Sequence, residues 1–157
     1  MEVTVEDPEC PIPFGNLAEF QLTYLLWQFE DVFYTYSVAL DRFFATDILV
    51  TGIGKRRGVP AVAVQITLQR WASGKASDFV AKASKKFGGP LLYLRIEGKV
   101  TKRMATAFRE ALEALWDDPA RQARRAHGVV VCSDGSKRWF RIAQPHEARR
   151  KRRRRKT

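Results

Sequence analysis

Three polar side chains interrupt two apolar segments of the sequence and are spaced so that they could act together. Asp47 lies at the start of "TDILVTGIG", and Gln65 and Thr67 alternate with apolar residues in "AVAVQITLQ". Side chains two residues apart on a strand share a face, so Gln65 and Thr67 project together, and Asp47 on a paired strand can meet them. Carboxylate and amide oxygens are ligands for hard divalent cations. This polar row (Asp47, Gln65 and Thr67) is therefore a reaction site, the remnant of one, or the solvated side of a sheet.

The elements that would position the polar row are predicted by hydrophobic periodicity. Residues 16–29 form a helix that begins with a capping box of Asn16 and Glu19. β-Branched and aromatic runs predict strands over residues 32–40, 42–52 and 60–70, and "GIGKRRGVP" joins the last two as a hairpin. The expected fold class is α/β, with helices flanking a mixed central sheet.

The second half of the chain continues the alternation. A short helix is expected over residues 77–87 with Ser77 as its N-cap, followed by a buried strand over 91–96. An amphipathic helix over 101–116 should bury the stripe Met104, Phe108, Ala111, Leu112 and Leu115. A basic helical turn over 117–126 and a hairpin over 128–142, turning at Asp134 and Gly135, complete the body.

The order helix, three-strand meander, helix and strand resembles the core of the PD-(D/E)XK, or restriction-endonuclease-like, nucleases over roughly residues 15–97. The resemblance implies an α-β-β-β-α-β core, here with an extra helix and a C-terminal hairpin. That family carries an acid near the start of the second strand, an acid and a lysine two residues apart on the third, and often an acid from the first helix. By resemblance, the catalytic candidates are Asp47, Gln65, Thr67 and Glu19, with Asp47 and Gln65 as Mg²⁺ ligands for phosphodiester cleavage in DNA.

The polar row departs from the family pattern at two positions. Gln65 stands in place of an acid and Thr67 in place of the lysine, so metal binding is weakened and a positive charge is missing. Lys75 or Lys82 could supply that charge, but the sequence predicts weak or absent cleavage. In the plainer interpretation, Glu19 only caps its helix, and Gln65 and Thr67 face water. Asp47 is harder to explain in that way, because aspartate is depleted within strands.

Charge indicates the class of partner. The formal net charge is +11, residues 149–156 are eight consecutive cations, and the first ten residues carry four acids and no base. Such a distribution predicts a polyanionic partner, with nucleic acid favoured over a membrane surface and DNA over RNA. No apolar run is long enough for a membrane span, and Cys10 and Cys132 form no ligand-spaced cluster, which favours a cytoplasmic protein.

Three groups of cations are the candidate nucleic-acid contacts. Lys55, Arg56 and Arg57 lie at the tip of the predicted hairpin, where they either touch a backbone or form an ordinary solvated turn. The second group lies on the predicted short helix and comprises Lys82, Lys85 and Lys86. The third group lies in the tail and comprises Arg149, Arg150, Lys151, Arg152, Arg153, Arg154, Arg155 and Lys156. Trp139 and Phe140 alternate with cations and either stack on bases or pack in the core, the second being favoured.

The expected organisation is an extended, acidic, proline-rich segment over residues 1–14, one α/β domain over 15–144, and a disordered polybasic tail over 145–157. The expected function is nucleic-acid binding on a nuclease-like fold, with Mg²⁺-dependent cleavage of DNA as its most concrete activity. The alternatives are a non-catalytic binding module and an accessory subunit of a ribonucleoprotein or mobile element. The sequence leaves the oligomeric state open, a homodimer included.

Overall fold

The computed structural model describes residues 26, 29–35, 43–56, 60–67, 73–118 and 125–142. Within these ranges six strands and two helices are described from end to end, and Leu26, Phe43 and Phe44 are further helical residues. The strands are β1 (Val32–Thr35), β2 (Ile48–Ile53), β3 (Val62–Thr67), β4 (Leu91–Glu97), β5 (Ala126–Cys132) and β6 (Lys137–Phe140). The helices are α1 (Ser73–Lys86), between β3 and β4, and α2 (Lys102–Asp117), between β4 and β5.

The six strands form one mixed sheet in the order β1-β2-β3-β4-β5-β6. The first three strands pair antiparallel as a meander, β3, β4 and β5 pair parallel, and β6 returns antiparallel to β5. Parallel neighbours need a crossover connection, which α1 and α2 supply. The predicted α/β class with a mixed central sheet is confirmed.

The two helices cover opposite faces of the sheet, which explains why β4 is apolar on both sides. Phe79 and Ala83 of α1 pack with Leu91 and Tyr93 on one face. On the other face, the apolar stripe of α2 packs against the alternate strand residues and Leu26. Leu26 is helical and fully buried; the rest of the predicted first helix lies outside the described residues.

The helix α2 forms as its sequence predicts. Thr101 is its N-cap, and the Thr101 hydroxyl accepts a hydrogen bond of 3.2 Å from the backbone N–H of Met104. The predicted inner stripe from Met104 to Leu115 is buried. The predicted terminal hairpin is also confirmed, because β5 and β6 pair antiparallel. In its turn, Gly135 adopts a φ of 88° and the Asp134 carboxylate accepts a 2.9 Å hydrogen bond from the Ser136 backbone N–H.

Two predicted boundaries are wrong. The helix α1 begins at Ser73, so Ser77 lies inside the helix and is not its N-cap; the earlier start also allows Ala76 to join the buried stripe. The strand β2 begins at Ile48 and not near residue 42, because Phe43 and Phe44 are helical and are followed by Ala45 with a left-handed φ of 51°. Residues 36–42 and most of the predicted basic turn over 117–126 lie outside the described ranges. Neither α1 nor α2, the helices that the structure describes in full, is long and apolar enough to cross a membrane.

Candidate nucleic-acid interface and the polar row

Asp47 lies beside the segment that carries Gln65 and Thr67, as the spacing predicts. The backbone N–H of Asp47 donates to the carbonyl oxygen of Val64 at 2.9 Å, and its carboxylate Oδ2 accepts from the backbone N–H of Ile66 at 2.6 Å. Asp47 therefore continues the hydrogen bonding between β2 and β3 by one residue, with its carboxylate as an additional acceptor. Only 8% of Asp47 and 5% of Thr67 are exposed, so these two side chains do not line the open cleft that the site interpretation expects. The plainer interpretation is also wrong for Thr67, which does not face water.

The neighbours of Gln65 and Thr67 come from β4. Gln65 is in register with Tyr93, and Thr67 with Arg95. The Oε1 atom of Gln65 is buried and has no hydrogen-bond partner among the described residues. A buried amide oxygen of this kind is unfavourable unless some group, such as a cation, a water or an undescribed side chain, satisfies it. Arg95 is the cation nearest in register to the threonine that replaces the family lysine.

A magnesium site would need more oxygen ligands than the described residues provide. These residues hold no group of three or more histidine, cysteine, aspartate or glutamate side chains placed to bind a metal. Asp47 is the one carboxylate of the polar row, and it is already engaged by the Ile66 N–H. The described residues alone therefore do not fit Mg²⁺. Glu19, the helix acid implied by the resemblance, lies outside the described ranges, so its role stays a prediction.

Neither lysine expected to supply the missing charge is shown in the polar row. Lys82 is exposed on α1 and forms an ion pair of 2.9 Å with Asp78, four residues earlier. Lys75 is also exposed. Arg95 instead donates a hydrogen bond to the Glu97 carboxylate at 2.8 Å, and this carboxylate also accepts a hydrogen bond of 3.3 Å from Arg138 on β6. Burial tends to raise the pKa of Glu97, but the hydrogen bond from Arg95 and the charges of both arginines lower it below its ordinary value of 4.5.

The hairpin tip is partly held by contacts with α2. Lys55 is exposed. The Arg56 guanidinium forms an ion pair of 2.6 Å with Asp117 and donates to the Glu113 carbonyl oxygen at 3.4 Å, so this side chain connects the tip to α2. Arg57 lies outside the described residues. Of the three predicted contacts at the tip, Lys55 is the one that the structure places toward solvent without an ion pair among the described residues.

The helix α1 displays its lysines in an ordered way. At 100° per residue, Lys75, Lys82 and Lys86 lie within about 40° of one another and form one side of the helix, which we call the lysine flank. All three are exposed, while Phe79 and Ala83 turn toward the sheet. The Lys86 ammonium lies 5.8 Å from the centre of the Phe44 ring. The Lys86 end of the lysine flank therefore lies beside the segment that precedes β2, whereas Lys85 points away from the sheet.

The aromatic rings of β6 belong to the core, in agreement with the favoured interpretation. Trp139 packs against the α2-side core and lies edge-on to His127, with ring centres 6.1 Å apart. Phe140 packs edge-on to Tyr93 at 6.4 Å. Gly128 is required beneath Phe140, because a Cβ at that position would overlap the ring. Base stacking by these two rings is therefore disfavoured.

The exposed aromatic residue is Phe43, which the sequence interpretation assigned to a strand. Among the described residues it is the large apolar side chain that remains exposed, at 62%. The adjacent pair Phe43 and Phe44 next to charged Asp41 and Arg42 was the available signal. It was missed because aromatic residues are also enriched in strands.

The basic tail over residues 149–156 lies outside the described residues, so its predicted role stays a prediction. Comparisons of the chain with protein-family models, with curated proteins and with solved structures found no match. The sheet, the polar row and the charged surface of α1 are therefore the observations from which a function has to be argued.

Proposed function

We propose that this protein binds nucleic acid, with DNA as the first candidate, through the lysine flank of α1 and the basic tail. The observation that carries the proposal is the exposed lysine flank in a chain of net charge +11. Lys82 alone of the three has an acidic partner among the described residues, and an exposed ion pair of this kind is weak enough to exchange for a phosphate. Cations aligned along one helix side suit the regular charges of a phosphate backbone.

We further propose that the sheet is of restriction-endonuclease-like type. Its support is the order of elements: an antiparallel meander of β1, β2 and β3, a crossover through α1, and β4 parallel to β3. Asp47 precedes the second of these strands, and Gln65 and Thr67 lie on the third, as in the family pattern. Binding without cleavage is the better-supported form, because the single carboxylate of the polar row is bonded to a backbone N–H.

A Mg²⁺-dependent nuclease is the second candidate. The buried Oε1 of Gln65 favours it, since this oxygen lacks a hydrogen-bond partner among the described residues and a cation would satisfy it. In that case, Asp47 and Gln65 would hold the metal with Glu19, and the metal would activate water for phosphodiester hydrolysis. Arg95, in register with Thr67, would then be the residue that could replace the family lysine in holding a phosphate.

The binding proposal is tested by fluorescence anisotropy of a labelled DNA oligonucleotide with the full chain, from about 50 to about 200 mM salt. The variant Lys75→Ala/Lys82→Ala/Lys86→Ala removes the lysine flank. Its matched control, Lys99→Ala/Lys102→Ala/Arg103→Ala, removes the same charge from exposed positions around the start of α2. The flank variant should flatten the slope of log affinity against log salt by about 0.9 for each phosphate that it no longer neutralises, and more than the control does.

Two results would decide against the proposal as stated. Absence of DNA and RNA binding by the wild-type chain would remove nucleic-acid binding altogether. Equal losses of affinity in the flank variant and its control would exclude the lysine flank as the binding surface and leave only non-specific attraction.

A gel assay of the same DNA with Mg²⁺ or Mn²⁺ should show intact substrate. Cleavage that Asp47→Asn abolishes would establish the second candidate.

A further inference from the structure

Phe43 exposes an aromatic ring at one end of the lysine flank. The ring is 62% exposed, and its centre lies 6.5 Å from that of Phe44 in a tilted arrangement. Phe44 in turn packs edge-on against Phe87 at 5.8 Å, just beyond the end of α1. An exposed aromatic ring of this kind can stack on a ligand that presents an apolar face.

Phe43 and Phe44 are helical residues that precede β2, so their rings do not belong to that strand. Ala45 has a left-handed φ of 51°, a conformation that costs a non-glycine residue about 1–2 kcal/mol. Next to it, the buried Thr46 hydroxyl donates to the carbonyl oxygen of Phe44 at 3.0 Å. A left-handed residue directly after helical residues is a common way for a helix to end, and here it leads the chain from Phe44 toward β2.

The lysine flank continues from this aromatic pair along α1. Lys86 lies over the Phe44 ring, and Lys82 and Lys75 follow toward the start of the helix. From Lys75 to Lys86 the flank spans about 16 Å, at about 1.5 Å per residue. That length matches the backbone of a few nucleotides, since adjacent phosphates on one DNA strand are about 3.4 Å apart along the duplex axis.

We infer that Phe43 and the lysine flank together bind single-stranded nucleic acid, with Phe43 stacking on an unpaired base and the lysines holding the neighbouring phosphates. This inference rests on the proposed function and specifies its ligand. In a duplex the faces of the bases are covered by their neighbours, so a surface ring has no base to stack on. In a single strand each base can present its face, and stacking on aromatic side chains combined with a cationic track is the usual means of recognition.

The test compares the full chain and Phe43 variants in anisotropy titrations with a single strand of about 16 nucleotides and with the matching duplex. Phe43→Ala should weaken single-strand binding about 5- to 100-fold and leave duplex binding unchanged. Phe43→Trp should retain single-strand affinity, because it keeps an aromatic face, whereas Phe43→Leu should behave like Phe43→Ala. Parallel titrations with oligo(dT) and oligo(U) show whether the protein prefers single-stranded DNA or single-stranded RNA.

Each outcome separates this inference from the proposed function. Wild-type binding to both ligands with no effect of Phe43→Ala overturns the inference and leaves nucleic-acid binding intact. Equal losses of affinity for strand and duplex also overturn it, because stacking on an unpaired base would not act on the duplex. A change of sedimentation in Phe43→Ala without loss of affinity would assign Phe43 to self-association instead. Unchanged thermal melting shows that each variant is folded.

Discussion

The carboxylate of Asp47 accepts a hydrogen bond from the backbone N–H of Ile66 at 2.6 Å, across the junction between β2 and β3. Asp47, the acid that most suggested a reaction site, therefore has a structural role. It lies directly before β2 and accepts the hydrogen bond of a backbone N–H on β3. A buried N–H without an acceptor is costly, so this bond is one reason for an aspartate in an apolar segment.

The first prediction follows from that bond. Asp47→Ala should lower the free energy of unfolding by about 1–3 kcal/mol, because it leaves the Ile66 N–H unsatisfied. Asp47→Asn should cost less, since its amide oxygen can accept the same bond. Urea unfolding of the three proteins measures both values. An Asp47→Ala variant as stable as wild type, or more stable, would show that the carboxylate is held there for another purpose and would favour the metal-site interpretation.

The second prediction concerns acid stability. The hydrogen bonds of Arg109 hold the pKa of Asp31 below its ordinary value of 3.8, although burial opposes this shift. A carboxyl with a lowered folded-state pKa contributes stability that is fully present above its unfolded value and lost as pH falls through the folded value. Wild type should therefore exceed Asp31→Asn in stability at pH 7, and the difference should shrink below about pH 4.

Urea unfolding of both proteins at several pH values measures this difference. Asp31→Asn is preferable to replacing Arg109, because Arg109 also bonds to Glu113 and lies over the Phe29 ring. Acid titration of Glu97 and Asp134, whose pKa values are also lowered, is common to both proteins and cancels. A stability difference that does not change with pH would remove the Asp31–Arg109 pair as its cause.

The third prediction concerns the start of α2, where Lys102 lies in a first turn that contains no acid. A cation at a helix N-terminus opposes the helix dipole, so Lys102→Glu should raise the free energy of unfolding by about 0.3–1 kcal/mol. Because Lys102 is outside the lysine flank, single-strand affinity should fall only by the small amount that net charge causes. The control is Lys102→Gln, with an intermediate gain. A decrease of affinity as large as that of the flank variant would place the interface at α2.

Truncation after Gln144 is the fourth prediction. Removing the eight consecutive cations should weaken binding to single strands and duplexes similarly, because the segment "RRKRRRRK" holds no aromatic residue to recognise bases. On B-DNA the slope of log affinity against log salt should become flatter by about 0.9 for each phosphate that the tail had neutralised. An identical slope would exclude the tail from the interface.

The sequence predicted the features that depend on local pattern. Six strands and α2 follow from apolar periodicity, and the terminal turn follows from Asp134 and Gly135. The helical Phe43 and Phe44 were not predicted, because aromatic residues are enriched in strands. The left-handed Ala45 was not predictable either, because alanine carries no preference for that conformation.

The candidate nucleic-acid contacts show the same limit. The lysine spacing along α1 could be predicted from the sequence, although the helix begins four residues earlier than predicted. The partner of Arg56 could not, because Asp117 is 61 positions away and the two meet only when the hairpin tip folds against α2. Local pattern thus identified the cations, but tertiary structure decides which of them also form contacts within the chain.

Mapping of backbone amide shifts by NMR shows directly whether nucleic acid binds along α1 and at Phe43. The uniformly ¹⁵N-labelled full chain is titrated with a single strand of about 16 nucleotides. We expect the largest shift changes, outside the tail, at residues 43–44 and 73–86, with small changes at residues 99–103. Changes concentrated around β1 or the start of α2, or none in the described residues, would contradict the claim.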